Sequence, residues 1–197
     1  MTKVTPFQKI CIFGGAFDPI HTGHLKVAEQ ASILLAINRF IWVPTFSPPH
    51  KEPSRTPYHH RLKMVRLAIS GNETHRVSDI ESKLSQPSYT LDTISALKKQ
   101  YAQTEQWFFL MGADNWTIFR SWYKWDKLLE EIKIIIFPRE NHQIKDIPRG
   151  VTLLKTAVFT ETSTVIRENL KKEVPLDKAG ILPNIKDYIL EHKLYGT

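Results

Sequence analysis

The chain has 197 residues, of which 42% are hydrophobic and 24% charged, as is usual for a globular protein. Its net charge of +7 at pH 7 suits an anionic ligand. The lysines and arginines are scattered, which argues against a nucleic-acid partner, and no apolar run is long enough to span a membrane. The single cysteine, Cys11, excludes an intrachain disulfide and a cysteine-based metal cluster. We expect a cytoplasmic protein without nucleic-acid or membrane partners, and the oligomeric state stays open.

Short apolar runs alternate with helical patterns along most of the chain. Strands buried on both faces are predicted at 10–13, 40–43, 107–111 and 132–137, with weaker strands at 77–80 and 151–154. Apolar residues at helical spacing predict helices over 25–37, 58–70 and 91–101. This alternation predicts an α/β fold, with a Rossmann-like, open and mostly parallel sheet that carries helices on both faces.

Two further helices are predicted near the end of the chain. The first begins where Thr162, Ser163 or Thr164 can cap it. The second begins at Pro183, which suits a first helical turn, and extends to Gly196. We expect this small helical part, about residues 160–197, to belong to a single domain that spans residues 1–197.

The segment after the first predicted strand carries the clearest chemical signal. Gly14 and Gly15 stand where open α/β sheets bind ligands, and glycine lets backbone N–H groups approach a phosphate. His21 and His24 flank a predicted helix start and share one face, so they can donate to phosphate oxygens or, as imidazolium, offset negative charge. A metal pair and packed core histidines are the alternatives, although a zinc pattern such as H-E-x-x-H is absent.

The segment GGAFDPIHTGH resembles the G-x-F-D-x-x-H-x-G-H signature of the nucleotidyltransferase superfamily of adenylyl- and cytidylyltransferases. Six further motifs follow in order, namely VPTFSPPHK, PSYTLDT, GADNW, SWYKW, PRE and TSTVIRENL. Together they resemble the bacterial nicotinate-nucleotide adenylyltransferases over nearly the whole chain. The resemblance implies transfer of AMP from ATP, used with Mg²⁺, to nicotinate mononucleotide, giving deamido-NAD and pyrophosphate. It implies no covalent intermediate and no metal site built by the protein.

The resemblance also implies the residues of the site. His21, His24 and Arg167 would be catalytic, with His24 at the α-phosphate and Arg167 at the departing phosphates. The residues that would bind ATP are Gly14, Gly15, Phe17, His50, Lys51, Asp114, Arg139, Ser163 and Thr164. Those that would bind the mononucleotide are Ala16, Tyr89, Thr90, Trp122 and Tyr123. The Trp122 indole would stack on the pyridine ring, and backbone N–H groups near Tyr89, Thr90 and Tyr123 would hold its carboxylate.

Some of these residues have ordinary structural interpretations as well. The hydroxyl cluster before Arg167 is also typical of a plain helix cap beside a surface arginine, and Asp114 is also typical of a helix cap. Lys51 fits a solvated loop. Glu161 departs from the family pattern, because it brings a carboxylate close to the expected phosphate site. Three other tryptophans are predicted to be structural, namely Trp107, Trp116 and Trp125.

Two other functions stay open on the sequence alone. A sibling transferase would use nicotinamide mononucleotide or phosphopantetheine as the acceptor, although PSYT and SWY favour a nicotinate ring. A non-catalytic module for nucleotides or nucleic acid would bind without releasing pyrophosphate. The presence of His21, His24 and Arg167 argues against such a module.

Overall fold

The computed structural model describes residues 8–48, 54–101, 106–140, 142, 144, 147–156, 161–172 and 180–197. Within them the strands are β1 (Lys9–Gly15), β2 (Arg39–Pro44), β3 (His75–Val77), β4 (Gln106–Gly112), β5 (Lys133–Phe137) and β6 (Val151–Leu153). The α-helices are α1 (Thr22–Leu35), α2 (Tyr58–Ala68), α3 (Thr90–Lys98), α4 (Ala113–Thr117), α5 (Trp125–Glu131), α6 (Ser163–Lys171) and α7 (Pro183–Glu191). No helix in these ranges combines the length and apolarity needed to cross a bilayer.

The described strands form one sheet in the order β3-β2-β1-β4-β5-β6. Every neighbouring pair is parallel. In the centre, Ile12 of β1 pairs with Ile41 of β2 and with Phe109 of β4. The predicted Rossmann-like sheet is therefore confirmed. Because the strand order reverses between β1 and β4, a crevice is expected at the carboxyl ends of these two strands.

Alternate residues of each strand enter two different cores. Cys11 and Phe13 pack with α1, α2, α6 and α7 on one face of the sheet. Ile10 and Ile12 pack with α3, α4 and α5 on the other face. The predicted placement of helices on both faces is confirmed. Burial of both faces is also why the strands are continuous apolar runs in the sequence.

The structure corrects the weak strand predicted at 77–80. The strand there is β3, which ends at Val77, and a 3-10 turn follows over Ile80–Lys83. The Ser78 N–H still donates to the Trp42 carbonyl at 2.9 Å, but the Ser78 hydroxyl then accepts from the Ile80 N–H at 3.3 Å and starts the turn. The apolar residues Val77 and Ile80 are three positions apart, which suits a helical turn better than an alternating strand.

Helix boundaries differ from the predictions at three places. The first helix begins at Thr22, where the two histidines flank its start as predicted, but it ends at Leu35, two residues earlier than the helical spacing indicates. The last helix ends at Glu191 instead of Gly196, since Lys193 adopts a left-handed conformation (φ 49°) before a 3-10 turn over Leu194–Gly196. The sequence analysis missed α4 and α5, whose five and seven residues are too short for a helical period to show.

Candidate active site

A cavity of about 570 Å³ lies at the carboxyl ends of the central strands. Its volume falls in the range of small-ligand sites. Its lining brings together most of the predicted site residues: Gly14, Gly15, Ala16, Phe17, Tyr89, Thr90, Asp114, Trp122, Tyr123, Arg139, Ser163, Thr164 and Arg167. His50 and Lys51 lie outside the described residues.

The loop after β1 begins with the two glycines, and close packing explains the second of them. A Cβ atom on Gly15 would come within 3.2 Å of the Phe17 ring, whereas one on Gly14 would make an ordinary 3.4 Å contact with Phe109. The left-handed conformation in this loop belongs to Phe17, at φ 47°. The Phe17 ring is therefore buried against the end of β1, where it lines the cavity.

The two histidines of the first motif lie against each other at the start of α1. Their ring centroids are 3.7 Å apart, and the backbone N–H of His21 donates to His24 Nδ1 at 3.3 Å. A neutral His24 ring must then carry its proton on Nε2. Burial, with help from His21 and Arg139, lowers the pKa of His24 well below its ordinary value. His24 is therefore a neutral N–H donor in this structure, not the imidazolium considered from the sequence.

The His21 ring is buried, with 1% exposure, and neither of its nitrogens has a hydrogen-bond partner within the described part of the chain. Burial lowers the pKa of His21 to about 3, Arg139 acts in the same direction, and Glu161 opposes both. Neither imidazole is among the described residues that line the large cavity. His24 instead lines a small crevice with Arg139, which also lines the cavity. A buried, unpaired polar ring is typical of a ligand site.

The start of α6 supplies hydroxyl groups to the opposite wall. Thr162 is the cap, since its hydroxyl accepts from the Val165 N–H at 3.2 Å, so the predicted helix cap is confirmed. The Ser163 hydroxyl donates to the Pro19 carbonyl at 3.0 Å and ties α6 to the first loop. The positive end of the α6 dipole therefore lies beside the first motif.

Arg167 is one turn further along α6 and is anchored at two points. Its Nη1 donates to the Asp18 carbonyl at 2.6 Å, and its Nη2 donates to the Thr164 hydroxyl at 3.2 Å. The side chain lines the cavity. The interpretation as a plain surface arginine is therefore wrong, because the guanidinium is held at the site wall.

Glu161 is turned toward α1. Its Oε1 lies 2.7 Å from Lys26 Nζ and accepts a longer hydrogen bond, at 3.4 Å, from the Thr22 hydroxyl. The hydrogen bond from Lys26 lowers the pKa of Glu161. The carboxylate that departs from the family pattern is thus balanced by a cation on α1.

Aromatic rings form the other end of the cavity. Trp122 is partly buried, with its ring centroid 6.2 Å from Phe109 and 5.6 Å from Phe119. Tyr123 is 41% exposed, and its ring lies 4.5 Å from that of Tyr89 at an angle of 31°. All three aromatic residues predicted for the mononucleotide therefore line the same cavity.

The start of α3 lies at the same end of the cavity. Tyr89 is the cap residue, Thr90 begins the helix, and both line the cavity. The first N–H groups of a helix have no partner within it, so this end offers donors to an anion. Of the tryptophans predicted to be structural, Trp107 is buried in the core on the α3 side of the sheet, and Trp116 and Trp125 pack against this core, as Trp122 does.

Comparison with known proteins matches residues 12–173 to the cytidylyltransferase-like family. The nicotinate-nucleotide adenylyltransferase of Bacillus subtilis is 36% identical over 96% of this chain and 100% of its own. The chain belongs to the cytidylyltransferase-like family, among the nicotinate-nucleotide adenylyltransferases. Structures of nicotinic acid mononucleotide adenylyltransferase from Plasmodium falciparum, complexed with NaAD or with APC, have TM-scores of 0.79 and 0.78. Both are 27% identical and cover 95% of this chain and 97% of theirs.

Asp114 lies two residues after the end of β4, and Arg139 lies two residues after the end of β5. The cap of α4 is Gly112, and Asp114 lies in the first turn, so Asp114 is not the helix cap. Burial lowers the pKa of Arg139, and the charge of Asp114 opposes this decrease. The Arg139 guanidinium lies over the Phe137 ring, 4.9 Å from its centroid.

Sequence analysis missed two buried charged residues that hold the loops around the cavity in place. Arg61 of α2 donates from Nη1 to the Ala16 carbonyl at 2.7 Å and from Nη2 to the Thr45 carbonyl at 2.8 Å. It thereby joins the loops after β1 and β2. The available signal was its position three and four residues before Met64 and Val65, on the apolar face of the predicted helix.

The second is Glu81, which lines the cavity from the 3-10 turn. Its Oε2 accepts from the Phe46 N–H at 3.0 Å and the Ser88 hydroxyl at 3.1 Å, and its Oε1 accepts from the Thr93 hydroxyl at 3.3 Å. Burial raises the pKa of this carboxyl, and these hydrogen bonds oppose the increase. Glu81 therefore fixes the loop after β2 to the start of α3. No periodic pattern marks it in the sequence.

Proposed function

We propose that the chain transfers the adenylyl group of ATP to nicotinate mononucleotide, forming deamido-NAD and releasing pyrophosphate in the cytoplasm. One observation carries this proposal: a single cavity joins hydroxyl and arginine donors at α6 to the aromatic rings beside the start of α3. The first end suits phosphates, and the second suits a flat ring that bears a carboxylate. Similarity to the Bacillus subtilis nicotinate-nucleotide adenylyltransferase along nearly the whole chain supports the same reaction.

The reaction needs alignment and charge stabilisation more than a protein nucleophile. A phosphate oxygen of the mononucleotide attacks the α-phosphorus of ATP, and the bond to the β-phosphate oxygen breaks as pyrophosphate leaves. In this proposal His24 Nε2–H donates to an α-phosphate oxygen. The buried, unpaired His21 ring supplies a second donor at the start of α1.

Arg167 would receive the departing β- and γ-phosphates. Two of its five N–H donors are engaged by Asp18 and Thr164, which orients the guanidinium. Ser163 and Thr164 would add hydroxyl and helix N-terminal donors beside it. The leaving group would therefore meet a fixed positive charge.

The other site residues would bind the rest of the two substrates. ATP would lie along Gly14, Gly15 and Phe17, with Asp114 at a ribose hydroxyl and Arg139 along the adenine. His50 and Lys51 would add positive charge at its phosphates. Nicotinate mononucleotide would contact Ala16, Tyr89, Thr90, Trp122 and Tyr123.

Mg²⁺ would enter the site together with ATP. Among the described residues, no group of three or more histidine, cysteine, aspartate and glutamate side chains is arranged to hold a metal ion. We assign the ion to the phosphates of ATP, where it would neutralise negative charge.

The test is pyrophosphate release from ATP with three acceptors: nicotinate mononucleotide, nicotinamide mononucleotide and phosphopantetheine. We expect the nicotinate compound to have the highest kcat/KM and to yield deamido-NAD. Preference for another acceptor would show a sibling transferase. Nucleotide binding without pyrophosphate release would show a non-catalytic module and contradict the proposal.

A further inference from the structure

The loop between β1 and α1 is held by side chains from distant elements. Arg61 of α2 donates to the Ala16 carbonyl at 2.7 Å, and Arg167 of α6 donates to the Asp18 carbonyl at 2.6 Å. This loop leads directly into His21 at the start of α1. Its position therefore sets where the first motif stands relative to α6.

Asp18 carries a second contact, through its carboxylate. The side chain is buried, with 5% exposure, and its Oδ1 accepts from the Tyr195 hydroxyl at 2.8 Å. Tyr195 lies in the 3-10 turn after α7, where its backbone has φ 64°, a conformation unfavourable for a side chain of this size. The last turn of the structure thus reaches the first motif across 177 positions of sequence.

A buried carboxylate requires hydrogen-bond donors, because removal from water penalises its charge. Tyr195 can supply one at any physiological pH, since burial and the charge of Asp18 raise the pKa of its hydroxyl. The side chain of Thr56 also hydrogen-bonds to Tyr195. Tyr195 is therefore fixed on one side by the loop before α2 and on the other by Asp18.

We propose that Tyr195 is a positioning residue for adenylyl transfer, whose hydroxyl fixes Asp18 and thereby aligns Arg167 with the histidines of α1. The inference rests on the proposed function. Asp18 is the link, since its carboxylate accepts from Tyr195 while its carbonyl accepts from Arg167. Misplacement of catalytic groups by about 1 Å can cost up to about a hundredfold in rate.

The experiment compares Tyr195→Phe with Tyr188→Phe. Both variants lose one phenolic hydroxyl, but that of Tyr188 on α7 is hydrogen-bonded to His60 Nδ1 at 2.8 Å, outside the cavity lining. We expect Tyr195→Phe to lower kcat about ten- to a hundredfold, with KM for nicotinate mononucleotide changed by less than about twofold. Tyr188→Phe should keep kcat within about twofold of the unmodified protein.

A double-mutant cycle with Asp18→Asn tests whether the effect passes through this contact. We expect the loss of kcat in the double variant to be clearly smaller than the product of the two single losses. The inference would be overturned if Tyr195→Phe left kcat unchanged or if both tyrosine variants lost kcat equally. It would also be overturned if the loss in the double variant equalled the product of the two single losses. Thermal unfolding shows whether each variant is folded. If Tyr195→Phe does not fold, Asp18→Asn becomes the test, and an unchanged kcat in that variant overturns the inference. Inactivity of the unmodified protein would refute the proposed function itself.

Discussion

The Nδ1 atom of His24 accepts a hydrogen bond from the backbone N–H of His21 at 3.3 Å. The Nε2–H of His24 is therefore left to act as a donor. A fixed neutral donor suits a phosphate oxygen because it needs no reorganisation as negative charge develops. The pKa of the ring is already low, so protonation near neutral pH is not required for this role. The catalytic assignment of His24 thus depends on a donor in a defined tautomer.

His24→Ala is expected to lower kcat at least about a hundredfold, since a donor at a reacting oxygen contributes roughly 3 kcal/mol. Pyrophosphate release measures the rate, and circular dichroism with thermal unfolding confirms that the variant is folded. His59→Ala is the matched control, because His59 is exposed on α2 and outside the cavity lining. A folded His24→Ala protein that retains most of its turnover would refute the assignment.

The His21 ring also makes stability depend on pH. Its pKa is about 3 in the folded chain and about 6.5 when unfolded, so between these values the unfolded state binds more protons. The free energy of unfolding should therefore fall by up to about 1.4 kcal/mol per pH unit as the pH drops below about 6.5. Urea unfolding between about pH 7 and about pH 5 should show a shallower slope in His21→Asn. An unchanged slope there, or an equal change in His59→Asn, would contradict this account.

At the scale of elements, two helix starts contribute residues to the lining of the cavity. The start of α6 presents Ser163, Thr164 and Arg167, and the start of α3 presents Thr90 beside three aromatic rings. Glu81 holds α3 in place through Ser88 and Thr93, so the donors at its start are rigid. We therefore attribute selection of the nicotinate carboxylate to α3 and to the backbone near Tyr123, and not to the indole.

Trp122→Ala is expected to reduce kcat/KM for nicotinate and nicotinamide mononucleotides by similar factors, because the indole can stack on either ring. The preference for the acid, on the order of a hundred- to a thousandfold, should persist, since an amide leaves buried donors unpaired at about 1–3 kcal/mol each. Measuring kcat/KM for both substrates in both proteins tests this. Collapse of the ratio in Trp122→Ala would assign the selection to the indole.

On the scale of the whole molecule, α6 and α7 pack into the same core as α1 and α2. Ile166, Ile185 and Ile189 are fully or almost fully buried in it, together with Phe13 and Trp42 of the sheet. Arg167 and Tyr195 add hydrogen bonds from this C-terminal part to the first loop. We therefore propose that the C-terminal helices belong to the same domain as the sheet.

A single domain should unfold in one transition. Tryptophan fluorescence and far-ultraviolet circular dichroism should give coincident urea curves, and Ile185→Ala should shift both curves equally. The expected loss for this buried residue is about 2–5 kcal/mol. Leu190→Ala is the control on the same helix, since Leu190 is exposed. A transition at lower urea that appears in circular dichroism but not in tryptophan fluorescence would instead show a C-terminal part that unfolds separately.

Local patterns in the sequence are enough to predict the parallel sheet and the helices on its two faces, whereas the resemblance to a known family implied most of the residues around the cavity. The strands are predictable because a strand buried on both faces is an apolar run in the sequence. The motifs expected to bind phosphate come together because they follow strands whose carboxyl ends meet at one edge of the sheet. Short elements such as α4 and α5 escaped prediction because they hold too few turns to show a period.

Other properties exist only once distant segments pack together. Arg61, Glu81 and Tyr195 contact residues far away in sequence, and nothing in their own neighbourhoods specifies the partner. Burial by the assembled fold, and not residue type, lowers the pKa of His21 and His24. The sequence alone therefore determined the order of strands and helices and the position of the first motif after β1. The tertiary structure decided the protonation of the histidines and the supports of the site, because desolvation and long-range hydrogen bonds arise only when the chain has folded.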